Sequence, residues 1–228
     1  PAPTTGGLTL QSALNTEARL TDNDFFRTVK ASIRTLPNAQ VDAVSPGNPN
    51  NPKNVKRVEA ILGAEQWEYL FPRRDPSYSY TRFLQAVAKF PAVCDDYLDG
   101  RNADQICRTT LATMFAHFAQ ETGDHNRSDS VPEWRQGLKY LREMGHGESS
   151  SSYNGECSDP TFNQIWTCGK NANGSFKGYF GRGAKQLSYN YNYGPFSQVM
   201  FDGDQHVLLQ KPELVADTWL NLASATFF

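Results

Sequence analysis

Apolar residues recur along this chain at helical spacing. Phe25, Phe26, Val29 and Ile33 form one stripe, and Val55, Val58, Ile61 and Leu62 form a second, with Asn54 ahead of it as a cap. Trp67, Leu70 and Phe71 stop at Pro72, and Phe83, Leu84, Val87 and Phe90 stop at Pro91, because proline has no N–H with which to continue a helix. Between the first two stripes, SPGNPNNP at residues 45–52 is a run of turn formers and reads as a loop. The chain has no internal repeat and no β alternation of useful length. The pattern predicts a mainly α fold with few or no short strands.

Two further helices carry candidate acids. From Arg108 to Glu121, Leu111, Met114, Phe115 and Phe118 define an inward face, and Glu121 falls on that face in the last turn, just before Thr122-Gly123. A carboxyl there is either a desolvated general acid or a glutamate reaching water at a helix end, and the pattern leaves both open. Ser130-Val131-Pro132-Glu133 has the form of a capping box, and the stripe Trp134, Leu138 and Leu141 predicts a helix behind it. Glu143 lies off that stripe beside Arg142, available to a cleft or simply paired at the surface. Glu148 and Glu156 follow in a Ser/Gly-rich segment, and composition does not choose among these acids.

From Asn171 to Pro195 the chain turns to glycine and aromatics, NANGSFKGYFGRGAKQLSYNYNYGP. Tyr179, Phe180, Tyr189, Tyr191 and Tyr193 offer flat ring faces. Gln186, Ser188, Asn190 and Asn192 offer amides and hydroxyls. That mixture suits a sugar, whose C–H faces stack on rings while its hydroxyl and N-acetyl groups need donors and acceptors. A structural aromatic turn has the same composition. Gly181 and Gly183 around Arg182 do not make a phosphate loop, since the Lys-Ser/Thr pair is missing.

Composition narrows the classes. A 39% apolar share with 14 Phe, 10 Tyr and 4 Trp is globular. The net charge of −2 offers no footprint for nucleic acid. No apolar run is long enough to span a bilayer, so no membrane is expected. The first residues lack the order of a signal peptide, and any export signal is expected to have been removed. Cys94, Cys107, Cys157 and Cys168 form two local pairs 13 and 11 positions apart. Of three possible connectivities, loop closure favours Cys94 with Cys107 and Cys157 with Cys168, in an oxidising, extracellular setting. Neither pair has zinc-site spacing and the four histidines do not interleave with them, so no metal and no cofactor are expected.

The run YFGRGAKQLSYNYNYGP, residues 179–195, resembles the signature of the family 19 glycoside hydrolases, the lysozyme-like chitinases. YSYTRFLQAVAKFP (78–91), FAHFAQETG (115–123) and Leu141-Arg142-Glu143-Met144-Gly145 resemble further segments of that family in the same order. The resemblance implies a lysozyme-like bilobal α-helical domain with a substrate groove. It implies an inverting endo-chitinase that cuts β-1,4 bonds between N-acetylglucosamine units, with chitin or its oligosaccharides as partner. By the same carry-over, Glu121 is the general acid, Glu143 the general base, and Ser188 helps hold the water. Trp166, Gln186, Tyr191 and Asn192 are the sugar-contacting residues, and Arg182 orders the turn and the nearby acids.

Departures from the family pattern qualify the expectation. Gln120 stands where histidine is frequent, and Ala184-Lys185 replaces a typical Pro-Ile. DTWLNLASATFF, residues 217–228, resembles the start of a family helix, which implies a shortened chain, one missing groove wall, and an uncovered apolar face of Trp219, Leu220, Ala223 and Phe227. Residues 1–7 read as a linker remnant, 8–77 as an N-terminal helical segment and 78–228 as the catalytic domain. Two alternatives keep the scaffold: a chitin-binding module without catalysis, and a peptidoglycan hydrolase. The sequence leaves the oligomeric state open.

Overall fold

Five of the six positions 83–88 of one helix, Phe83, Leu84, Ala86, Val87 and Ala88, have no solvent exposure in a computed structural model that describes Asp24 and residues 33–227. A helix apolar on every side must be surrounded. Ser79 caps this helix by accepting a hydrogen bond from the Arg82 N–H at 3.2 Å. In chain order the helices are α1 (Asn38–Asp42), α2 (Lys53–Ile61), α3 (Ala64–Leu70), α4 (Tyr80–Lys89), α5 (Ala103–Thr122), α6 (Pro160–Ile165), α7 (Asn190–Met200), α8 (His206–Gln210), α9 (Leu214–Asp217) and α10 (Leu220–Phe227). The buried helix is α4, and α1, α2 and α10 pack around it. Thr35–Phe228 is one unit by its internal packing. Among the described residues there is no strand, only three isolated antiparallel bridges.

The core between α3, α4 and α5 is aromatic. Trp67 stacks on Phe83 with ring centroids 4.7 Å apart and meets Phe71 edge-on at 4.7 Å, while Phe115 meets Phe71 edge-on at 5.2 Å. At the other end of α4, Lys89 is fully buried. Its ammonium donates to the carbonyls of Leu36 (3.0 Å) and Met200 (3.3 Å) and to Asn38 Oδ1 (2.7 Å), and burial pushes it below the ordinary lysine value.

Several expectations change. The stripe at Phe25, Phe26 and Val29 lies outside the described residues, and Ile33 is exposed. Asn54 is not a cap: Pro52 flanks α2, and Asn54 is buried inside it, donating to Val87 O at 3.0 Å and Phe90 O at 3.3 Å. Helix α5 begins earlier than Arg108, where Asn102 caps it by accepting from the Gln105 N–H at 3.0 Å.

The helix expected after Ser130 is replaced by one 3-10 turn, Glu133–Arg135. Thr122 takes the backbone that would have continued it. The Leu138 N–H donates to Thr122 Oγ1 (3.0 Å), and the N–H groups of Lys139 and Tyr140 donate to the Thr122 carbonyl (2.9 and 3.1 Å). Trp134 is left exposed, while Leu138 is buried at a φ of 62°.

The apolar face of residues 219–227 is covered, against expectation. Leu220 and Ala223 are buried, and the Phe227 ring lies 5.3 Å from Phe196 and 6.5 Å from Phe90. The reason is that α10 docks on α4. Disulfides join Cys94 to Cys107 and Cys157 to Cys168, the second enclosing α6.

Replacing both Cys94 and Cys107 by serine releases a 13-residue loop. The expected cost is about 3 kcal/mol and the expected fall in Tm about 6–10 °C, measured by thermal unfolding of the oxidised protein and the double variant.

Candidate active site

The chain from Tyr179 to Tyr189 doubles back as a tight hairpin. Arg182 and Leu187 exchange backbone hydrogen bonds of 3.2 and 2.9 Å, and Gly183 takes a φ of 74° at the turn. A Cβ at Gly183 would stand 2.7 Å from the Asn221 carbonyl oxygen of α10, so both the turn and its close approach to that helix require glycine. On its other edge the hairpin pairs with residues 141–143. The Glu143 N–H donates to Gly181 O and the Gly183 N–H to Leu141 O, both at 2.9 Å. This small ladder sets the backbone of Glu143.

The Glu143 side chain is half-buried and held at both oxygens. Oε1 accepts from the Tyr153 hydroxyl at 2.7 Å and Oε2 from the Gly181 N–H at 3.1 Å. The Glu143 bond raises the Tyr153 phenol above its ordinary value. Arg142 does not pair with Glu143. It pairs with Glu148 (2.6 Å) and Asp217 (2.6 Å).

Glu121 stands in the last turn of α5 and is exposed, the second of the two arrangements that the pattern left open. The packed face continues from Phe118 to Thr122, both fully buried, and Glu121 is exposed beside it. The two acids still share a frame. Thr122, next to Glu121, receives the backbone N–H groups of Lys139 and Tyr140, three residues and more before Glu143. An open cavity of about 520 Å³ follows α5 past Ile106, Thr110, Met114 and His117, with Ala184 and Lys185 of the hairpin opposite. Glu121 comes one helical turn after His117, on the same side of α5.

The remaining predicted residues gather on the hairpin and the start of α7. The Ser188 hydroxyl donates to Gln186 O at 3.0 Å, and Asn192 Nδ2 donates to Ser188 O at 3.0 Å. The Gln186 amide donates to Gly183 O (3.1 Å) and Tyr140 O (3.4 Å), so it braces the turn. Tyr191 is exposed and stacked on Tyr189, with centroids 5.2 Å apart and planes 7° apart. Trp166 lies against Gly194, where a Cβ would stand 2.1 Å from the indole. Among the described residues, no group of three or more His, Cys, Asp or Glu is placed to hold a metal ion.

Arg182 is 1% exposed. It donates to Glu148 Oε2 (2.7 Å), Gly178 O (3.0 Å) and the Tyr193 hydroxyl (2.9 Å), with its guanidinium 3.7 Å over the Phe180 ring. The acid it orders is Glu148. Burial alone would raise the Glu148 carboxyl, but hydrogen bonds from Arg182 and Arg142 overrule that and hold it below the usual range. Sequence reasoning missed Tyr153 and His146, and it left Glu148 as one unchosen acid among several. The His146 ring stacks on Phe180 at 5.4 Å and bonds Ser152 Oγ through Nδ1 at 2.8 Å. The only signal for Tyr153 and His146 was their nearness to Glu143 in a segment too rich in serine and glycine to show a pattern.

The helical architecture is that of the lysozyme-like hydrolases. Chitinase C from Streptomyces griseus HUT6037 matches it with a TM-score of 0.52 at 22% identity, covering 80% of this chain and 68% of that one. A family model described as chitinase class I matches residues 71–228. The chain belongs to that family, the family 19 glycoside hydrolases. Endochitinase 2 of Solanum tuberosum is 34% identical over 155 residues, 66% of this chain and 41% of that protein. Chitinase 9 of Oryza sativa subsp. japonica is 30% identical over 181 residues, 75% of this chain and 47% of that protein. The chain thus spans less than half the length of these relatives.

The Glu148 pairs give the stability a defined pH dependence. Their contribution is fully present above about pH 5 and is lost as pH falls through the depressed folded value. Glu148→Gln is expected to lower Tm at pH 7 and to flatten its decline between about pH 5 and pH 3, read from thermal melts across that range.

Proposed function

We propose that this chain is the catalytic domain of an exported, inverting endo-chitinase that hydrolyses β-1,4 bonds between N-acetylglucosamine units. The observation that carries the reading is the contrast between two carboxyls on one frame. Glu143 has donors on both oxygens, while Glu121 stands at an exposed helix end, one turn past His117, which lines an open cavity. Inverting hydrolysis asks for that contrast: a base kept charged, and an acid able to take a proton and give it up.

In this mechanism Glu121 protonates the leaving glycosidic oxygen. Glu143 takes a proton from a water that attacks the anomeric carbon from the opposite face, so the configuration inverts. Inverting pairs in general work at a separation of roughly 6.5–9.5 Å, which leaves room for that water. Ser188 donates to Gln186 O and keeps its own oxygen as an acceptor for the water's second hydrogen. Tyr191 stacks on a sugar face, Asn192 and Gln186 meet N-acetyl and hydroxyl groups, and Trp166 lines the wall. The two disulfides support an oxidising, extracellular location.

Glu121→Gln is expected to lower the hydrolysis of an N-acetylglucosamine hexamer at least about 100-fold while leaving its binding within about twofold. Anomeric proton NMR of the first products should show the α-anomer. A β-anomer would overturn inversion and with it the general-base role of Glu143, and a variant that keeps more than a few per cent of activity would remove Glu121 from the acid role. Binding without release of soluble sugar by the unaltered chain indicates a binding module, and faster cleavage of bacterial cell walls indicates a peptidoglycan hydrolase.

A further inference from the structure

A row of rings runs from the exposed hairpin to the Glu143 carboxylate. Tyr191 stacks on Tyr189 at 5.2 Å, Tyr189 meets Tyr153 edge-on at 5.0 Å, and Tyr153 donates its hydroxyl to Glu143 Oε1 at 2.7 Å. Behind Tyr153 stands His146, edge-on at 5.8 Å and itself stacked on Phe180 at 5.4 Å. The His146 N–H donates to the Glu143 carbonyl at 3.1 Å, so the back of the row is tied to the same residue as the front.

The backbone marks the two middle rings. Tyr153 and Tyr189 both sit in the left-handed region, at φ 57° and 68°, which bulky residues rarely adopt. Strain of this kind persists where surrounding contacts over-determine the conformation, and here those contacts converge on one carboxylate. The ring row also has two ends of different character. Tyr191 is exposed, while Phe180 is fully buried and lies under the Arg182 guanidinium. A face laid on Tyr191 therefore presses on a set of rings with a fixed backstop.

Resting on the hydrolase reading above, we propose that Tyr153 is the positioning residue of the base Glu143, and that stacking of a sugar ring on Tyr191 steadies it through Tyr189. Tyr153 touches neither the sugar nor the water. Together with the Gly181 N–H it holds both carboxylate oxygens, Oε1 and Oε2, in one orientation, so that the lone pairs left over face the attacking water in a set direction. Without it, Glu143 keeps only the Gly181 N–H and gains rotamers in which neither oxygen points at the water.

The test uses the full chain with Tyr153→Phe, which removes one hydroxyl and keeps every ring contact. With an N-acetylglucosamine hexamer, kcat is expected to fall about 10-fold or more while KM stays within about twofold. The second measurement needs no turnover: the titration of Tyr153, followed by NMR of ring-labelled tyrosine. The Glu143 hydrogen bond holds this phenol above the ordinary tyrosine value, so Glu143→Gln should bring it down. Adding the hexamer should move the Tyr153 signal in the unaltered chain and in Glu121→Gln, and move it less in Tyr191→Ala. An unchanged kcat in Tyr153→Phe, a Tyr153 titration indifferent to Glu143→Gln, or a hexamer response indifferent to Tyr191→Ala overturns the proposal. If the unaltered chain binds the hexamer without cutting it, the hydrolase reading fails, while the NMR response still decides whether the ring row is coupled to Glu143.

Discussion

A guanidinium sealed inside protein has to be matched in charge and in hydrogen bonds, or the fold that holds it is not stable. Arg182 is that group here, and the site is built on its requirements. Its charge is met by Glu148, its N–H groups also by Gly178 O and the Tyr193 hydroxyl, and its flat face by the Phe180 ring. Burial pushes the Tyr193 phenol up to about 12, so it stays neutral and passes a hydrogen bond on to Phe180 O at 3.0 Å. Each partner lies in or beside the hairpin, or in the segment that faces it. Satisfying one cation therefore fixes the strand of chain that delivers the Gly181 N–H to Glu143.

The same charge reaches outward. Glu148 is shared between Arg182 and Arg142, Arg142 also pairs with Asp217 at the end of α9, and the Asp217 carbonyl accepts from Arg82 of α4 at 2.7 Å. Exposed pairs of this sort are individually weak. Their use here is geometric, since they register α4, α9 and the hairpin against a guanidinium that has little freedom to move.

Where a local pattern decided the structure, the sequence was readable. The stripes ending at Pro72 and Pro91 became α3 and α4, and the face of Leu111 and Phe118 became the inner side of α5. Local chemistry also pointed to the pairing of the cysteines. Reading failed where distant groups competed for the backbone. Thr122 captured the N–H groups that a helix after Ser130 would have used, and the carbonyls of Val87 and Phe90 drew Asn54 inward from a capping role. Helix α7 was hidden inside a stretch read for its rings and amides, and it carries Pro195, a residue that normally argues against a helix. Glu121 and Glu143, the proposed acid and base, were singled out through resemblance rather than pattern. Tyr153 was not legible at all, because its importance lies in a contact ten residues away across an irregular loop.

The contact between Ala184 N–H and the Asn221 carbonyl, 2.7 Å long, has a bearing on how this protein is made. Both disulfides close short local loops, so oxidation can be complete before the chain has brought α10 to the hairpin. Maturation by sulfur chemistry and completion of the hairpin's packing are then separate events, the second waiting on a helix that follows the hairpin in the chain. A correctly oxidised molecule can still be an unfinished one, and undocking of α10 would disturb the hairpin while every covalent link stayed intact.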